Sequence, residues 1–173
     1  PMNVRDQLLD AAVRVYAEAG YRGATTRRIA FEAGVNEITL FRHFGSKEKL
    51  FEGMLGQYTF LPHLKELRTR LDELPYEEAL QLVATRFLLT LKERKSFIKI
   101  MFSEVNLYPG KIRKIYNNTI DETRLTLADY FLSLQNKGRL RKISPEASAR
   151  TFLSMLVAYF RSEEIMRGLD ITK

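Results

Sequence analysis

The side chains with chemistry to offer gather in one run, TTRRIAFEAGVNEITLFRHFGSK, from Thr25 to Lys47. It holds hydroxyls at Thr25, Thr26 and Thr39, an amide at Asn36, a carboxylate at Glu37, guanidiniums at Arg27, Arg28 and Arg42, an imidazole at His43 and an ammonium at Lys47. Such groups suit recognition of a polyanion. Arginine can bond guanine O6 and N7 in a fork, a carboxylate can accept from cytosine N4, and an aliphatic side chain such as Ile38 can pack on a thymine methyl. Hydroxyls, amines and helix N-termini can bond phosphate. Bond-making chemistry has little to work with. The 173 residues include no cysteine and two histidines, His43 and His63, 20 positions apart and without a carboxylate pair at ligand spacing. There is no Ser-His-Asp order, no Gly-rich phosphate loop and no HExxH, so neither an enzyme nor a metal or cofactor site is expected.

The local elements must hold these groups outward. Residues Thr25 to Phe44 fit a helix-turn-helix, two short helices crossing steeply with the second able to enter a DNA major groove. Ala30 is small where the helices cross, Gly34 supplies a positive-φ turn, Val35 plugs beneath it, and Leu40 and Phe44 anchor the second helix on the first helix of the chain. Glu37, Ile38, Phe41 and Arg42 are then left outward, with Asn36, Thr39 and His43 at the flanks. Glu37 has an equal second reading, because a carboxylate in a first helical turn stabilises the macrodipole by about 0.3 to 1 kcal/mol without touching a base. Thr25, Asn36 and Ser46 are helix caps as well as phosphate candidates.

Apolar residues recur at helical spacing through nearly the whole chain and no alternating strand pattern appears, so the fold class is all-α. Asn3 caps a first helix that Gly20 stops, and Ser46 opens a fourth with Leu50, Phe51, Met54, Leu55 and Tyr58 inward. After Leu61-Pro62 only a helical turn or two is expected before Pro75. Helices follow at about Tyr76 to Glu93, Phe97 to Val105 and Lys111 to Asn136, the last with Ile112, Ile115, Tyr116, Ile120, Leu127, Phe131 and Leu134 inward. Ser144-Pro145 opens a last helix to about Gly168. This helix is apolar almost all round from Phe152 to Phe160, so Phe152, Leu156, Tyr159 and Phe160 are expected to meet a second subunit. That nine-residue run is far too short to span a bilayer, and the sequence starts without a signal-peptide pattern, so a cytoplasmic protein off the membrane is expected. The net charge is +7, yet residues 1–50 hold 8 Lys+Arg and 6 Asp+Glu, a net of +2. Bulk charge therefore does not point at the Thr25–Lys47 run, and KERK, KIRK and KGRLRK read as solvated surface.

ATTRRIAFEAGVNEITLFRHFGSKEKLF, from Ala24 to Phe51, resembles the N-terminal DNA-binding segment of TetR-family transcriptional repressors, and the likeness covers about residues 4–55. It implies a three-helix DNA-binding domain at 1–46 joined to a larger antiparallel helical bundle at 47–173 that forms an effector pocket and dimer interface. The implied function is a homodimeric repressor on a palindromic double-stranded operator, released by a small hydrophobic effector. Thr26 and Lys47 match phosphate-binding positions, Thr39 and His43 match backbone contacts, and Arg27 or Arg28 matches a contact to a guanine edge or a phosphate. Glu37, Ile38 and Arg42 fall where members differ and would specify this operator. Phe41 stands where tyrosine is usual, which removes a phosphate-bonding hydroxyl. The sequence ends at Ile171-Thr172-Lys173, about where the family's last helix would begin, so either it is truncated or dimerisation relies more on the Pro145–Gly168 helix. Tyr58, Phe60, Phe87, Phe97, Met101, Phe102, Tyr116 and Met155 are most simply core, and the resemblance implies that some of them line the pocket. The competing expectation is a helical small-molecule binding protein whose helix-turn-helix is degenerate.

Overall fold

The computed structural model describes residues 3–171, which are helical or connecting throughout, with no strand among them. The order is α1 (Val4–Gly23), α2 (Thr26–Glu32), α3 (Glu37–Phe44), α4 (Lys47–Tyr58), α5 (Leu61–Glu73), α6 (Tyr76–Glu93), α7 (Lys95–Glu104), a 3-10 turn (Val105–Leu107), α8 (Gly110–Asn136), α9 (Pro145–Phe160) and a π-helical turn (Arg161–Met166). Thr172 and Lys173 of the C-terminal stretch lie outside the described residues.

The chain packs as two units, Pro1–Thr59 with Arg94–Asn118, and Phe60–Glu93 with Thr119–Lys173. A cut after Ser46 would divide the first of these. In it Leu50, Phe51, Met54 and Leu55 of α4 share one buried cluster with Leu8, Leu9, Ala12, Val15 and Tyr16 of α1, and with Phe97 and Met101 of α7. Phe51 is the hub of the cluster's aromatic part, its ring meeting Tyr16 at 5.4 Å, Tyr21 at 5.3 Å and Tyr108 at 6.0 Å, all edge-on. Those are favoured aromatic geometries over the full area that a buried phenyl ring removes from water.

The second unit is built from α5, α6, the C-terminal part of α8, and α9. Phe60 packs edge-on against Phe87 with ring centroids 5.0 Å apart. Tyr130, wholly buried, donates its hydroxyl to the Leu71 carbonyl at 3.3 Å. Asp72 joins Arg68 at 2.6 Å and Lys137 at 3.0 Å. The Lys137 bond, helped by Arg68 against some desolvation, holds the Asp72 carboxyl below its usual pKa.

Three expectations change. The stretch after Leu61-Pro62 is a full 13-residue helix, because Pro62 lies in the first turn, where its missing N–H would have had no partner, and Leu61, Leu64 and Leu71 supply a buried stripe. Ile120 is 45% exposed rather than inward. The α-helix opened by Pro145 ends at Phe160, and two of the four residues expected at a subunit interface, Leu156 and Phe160, are buried within their own chain. The opposite face is open and still largely apolar, with Met155 58% and Tyr159 47% exposed beside Ser154 and Ala158.

Candidate nucleic-acid interface

Caps and glycines set the frame. Thr25 Oγ1 accepts from Arg28 N at 3.2 Å and begins α2, and Asn36 Oδ1 accepts from Thr39 N at 2.8 Å and Thr39 Oγ1 at 2.9 Å and begins α3. Ser46 Oγ accepts from Lys49 N at 3.1 Å and begins α4. Gly34 and Gly45 take φ of 71° and 76°, where a side chain would be strained, and so let the chain reverse between α2 and α3 and between α3 and α4. Ile29, Ala30 and Leu40 are buried. Phe44 is half-buried and lies under the Arg5 guanidinium of α1, 5.4 Å from the ring centroid.

With that side of α3 taken, the other is open. Ile38 is 79% and Phe41 44% exposed, and Arg42 and His43 are exposed beside them. Arg27 is exposed on α2, whereas Arg28 pairs with Glu18 of α1. Glu37 does not project freely. Its carboxylate accepts from the Thr26 hydroxyl at 2.5 Å, a tie between α2 and α3 that occupies the only hydrogen Thr26 Oγ1 has to give. The even balance between dipole and cytosine for Glu37 therefore tips toward structure.

Lys47 is half-buried at the N-terminus of α4. Its ammonium donates to the Tyr21 carbonyl and sits 4.3 Å from the centroid of the Tyr21 ring. Burial lowers the pKa of this amine, with Glu48 opposing the shift. Two of its three N–H groups remain beyond the Tyr21 bond. Sequence reasoning found Lys47 but missed Tyr21, which supplies the carbonyl and the ring, and Glu104, which accepts from Tyr21 N at 3.0 Å. An aromatic residue directly after the helix-stopping Gly20 was the only local signal for the first. Nothing local signals the second, 83 positions away.

The eight residues named for an effector pocket fall in both packed units. Tyr58, Phe97 and Met101 are buried in the first unit, which also contains the half-buried Phe102 and Tyr116. Phe60 and Phe87 are buried against each other in the second. Only Met155 borders the half-open groove of about 220 Å³ in that unit, which is formed with Leu80, Phe131, Leu140, Ile143 and Phe152 among others. Among the described residues no cluster of His, Asp or Glu is placed to hold a metal, and no helix is long and apolar enough to cross a membrane.

Comparison with known proteins matches the same regions. The family model described as bacterial regulatory proteins, tetR family, matches residues 8–54, and that for the C-terminal domain of AefR-like transcriptional repressors matches 78–170. The uncharacterized HTH-type transcriptional regulator YvkB of Bacillus subtilis (strain 168) is 31% identical over 160 residues, 92% of this chain and 82% of that protein. Two solved structures share the fold. The fatty acid degradation regulator FadR from Bacillus halodurans has a TM-score of 0.74 at 22% identity, covering 97% of this chain and 87% of that one. The transcriptional regulator FadR from Bacillus subtilis, solved with stearoyl-CoA, has a TM-score of 0.74 at 19% identity, covering 94% and 88%.

Proposed function

Because this chain belongs to the TetR family of bacterial regulatory proteins, whose members are transcriptional regulators and not enzymes, we propose that it is a cytoplasmic repressor acting as a homodimer on a palindromic operator. The observation that carries this reading is the open face of α3, where Ile38, Phe41 and Arg42 stand exposed on a helix held from behind by Leu40 and Phe44. Arg42 forks onto a guanine, Ile38 packs on a thymine methyl, and Phe41 adds apolar contact without a phosphate-bonding hydroxyl. Thr25, Asn36, His43 and Lys47 meet the backbone, as does Arg27 unless it reaches a base edge, and Thr39 joins them by turning its hydroxyl from Asn36 to a phosphate. Thr26 and Glu37 hold the two helices at a fixed angle.

Dimerisation uses the exposed side of α9 away from the groove that Met155 borders, where Ser154, Ala158 and Tyr159 form one stripe and the small Ser154 and Ala158 allow close approach. Two copies then present their α3 helices to successive major grooves about 34 to 36 Å apart. The effector is hydrophobic and binds the larger helical domain. Support comes from the apolar groove beside Met155 and from the likeness to a regulator solved with stearoyl-CoA. It releases DNA by favouring a subunit spacing that no longer fits two grooves.

The test is a duplex selected by the full chain from a random library. Binding that requires Arg42 and weakens on adding a long-chain acyl-CoA supports the reading, and equal binding to selected and scrambled duplexes counts against it.

A further inference from the structure

Residue 21 is gripped from both sides. Gly20, buried with φ 67° and ψ −178°, breaks α1 one residue earlier, which deprives the Tyr21 N–H of an ordinary helical acceptor. Glu104, the last residue of α7, supplies the acceptor at 3.0 Å. The fit is close: the backbone angles of Gly20 demand glycine, and a Cβ there would overlap the Glu104 carboxylate and push it from its place. On the other side of the same residue, the Tyr21 carbonyl and ring hold the Lys47 ammonium. Tyr21 is itself fixed by stacking on Tyr16 at 5.9 Å and by edge contacts to Phe51 and Tyr108.

We propose that Glu104 is a positioning residue for DNA binding, acting through Tyr21 to hold Lys47 where its remaining N–H groups meet an operator phosphate. This rests on the reading of Lys47 as a phosphate contact. A lysine left to itself spreads its charge over many rotamers, and ordering it on binding lowers affinity. Here the ordering is done beforehand by an acceptor whose own place depends on a carboxylate from a helix far along the chain. Glu104 touches no DNA. Its influence on affinity is indirect and carries the electrostatic signature of Lys47 rather than that of a base contact.

The experiment titrates the full chain against the duplex it selects from a random library, from low to moderate salt, for wild type, E104A, E104Q, K47M and E104A/K47M, with a thermal melt of each. K47M is expected to lower the salt slope by about one phosphate equivalent per site. E104A is expected to weaken binding about three- to tenfold and to lower the slope in the same direction, with no further loss when added to K47M. E104Q keeps an acceptor oxygen and restores near wild-type binding. E104Q also keeps the test open if E104A does not fold, because an E104Q chain that folds yet binds like K47M would overturn the bond-based role. If K47M lowers the slope but a folded E104A leaves affinity and slope unchanged, the inference fails and the phosphate role of Lys47 stands. If K47M changes nothing, both fail.

Discussion

The tie between α2 and α3 gives a sharp prediction, because it assigns Glu37 to structure where its position on a recognition helix suggests a base. Thr26 Oγ1 and Glu37 Oε1 are 2.5 Å apart and both side chains are half-buried. Thr26→Val keeps the shape and removes the donor. A hydrogen bond to a charged group contributes about 1.5 to 3 kcal/mol, but the Glu37 carboxylate can recover water, so the net cost is about 1 to 2 kcal/mol. For a chain of this size each kcal/mol moves the melting temperature by about 2 to 4 °C, which makes the expected fall about 2 to 8 °C. Glu37→Gln keeps an acceptor oxygen for the Thr26 hydroxyl and should cost less, through a weaker neutral bond and the loss of about 0.3 to 1 kcal/mol of helix-dipole stabilisation. The double mutant should be less destabilised than the two singles together, with a coupling of about 1 kcal/mol. The assay is a set of four thermal melts, with selection of preferred duplexes by wild type and Glu37→Gln alongside. Zero coupling, together with a Glu37→Gln chain that loses preference for one C·G pair, would refute the assignment and return Glu37 to the reading face.

Other perturbations test the remaining links. Phe51→Ala removes the ring at the centre of the Tyr16, Tyr21 and Tyr108 contacts and should cost about 3 to 5 kcal/mol, checked by chemical denaturation. Ala158→Arg on the exposed side of α9 should yield monomers by light scattering with unchanged helical circular dichroism, and should weaken binding to a palindromic duplex. Asp72→Asn should lower the melting temperature at neutral pH. The folded pKa of Asp72 is depressed, so its stabilisation is present above the ordinary value of 3.8 and fades as pH falls through the folded value. Wild type and variant should therefore converge in strong acid, as followed by melts across pH.

Much of the DNA-binding half was legible because its rules are local. Asn3, Thr25, Asn36 and Ser46 cap the helices they precede, Gly34 and Gly45 take the positive φ their positions demand, and Leu40 is buried as its spacing requires. What failed was set by tertiary partners. Pro62 looked like a breaker, yet at the start of a helix it costs nothing, and Leu64 and Leu71 had a core to reach. Periodicity marked Leu156 and Phe160 as apolar but could not say which surface they meet, and they meet their own chain. Composition likewise marked Phe97 and Phe87 as large and apolar without revealing that they belong to two different packed units. The hold on Lys47 was invisible for a further reason. It depends on a backbone carbonyl, which every residue has, and on Glu104, which only the fold brings to Tyr21.

The most direct measurement is the affinity of the full chain for its selected duplex against a scrambled duplex at one fixed salt concentration, for wild type and Arg42→Ala. Sequence-specific binding through the open face of α3 predicts a wild-type preference of about a thousandfold or more, with Arg42→Ala losing about 1 to 3 kcal/mol of discrimination confined to one base-pair position. A wild-type chain that binds both duplexes alike, or an Arg42→Ala chain that keeps full discrimination, would contradict it.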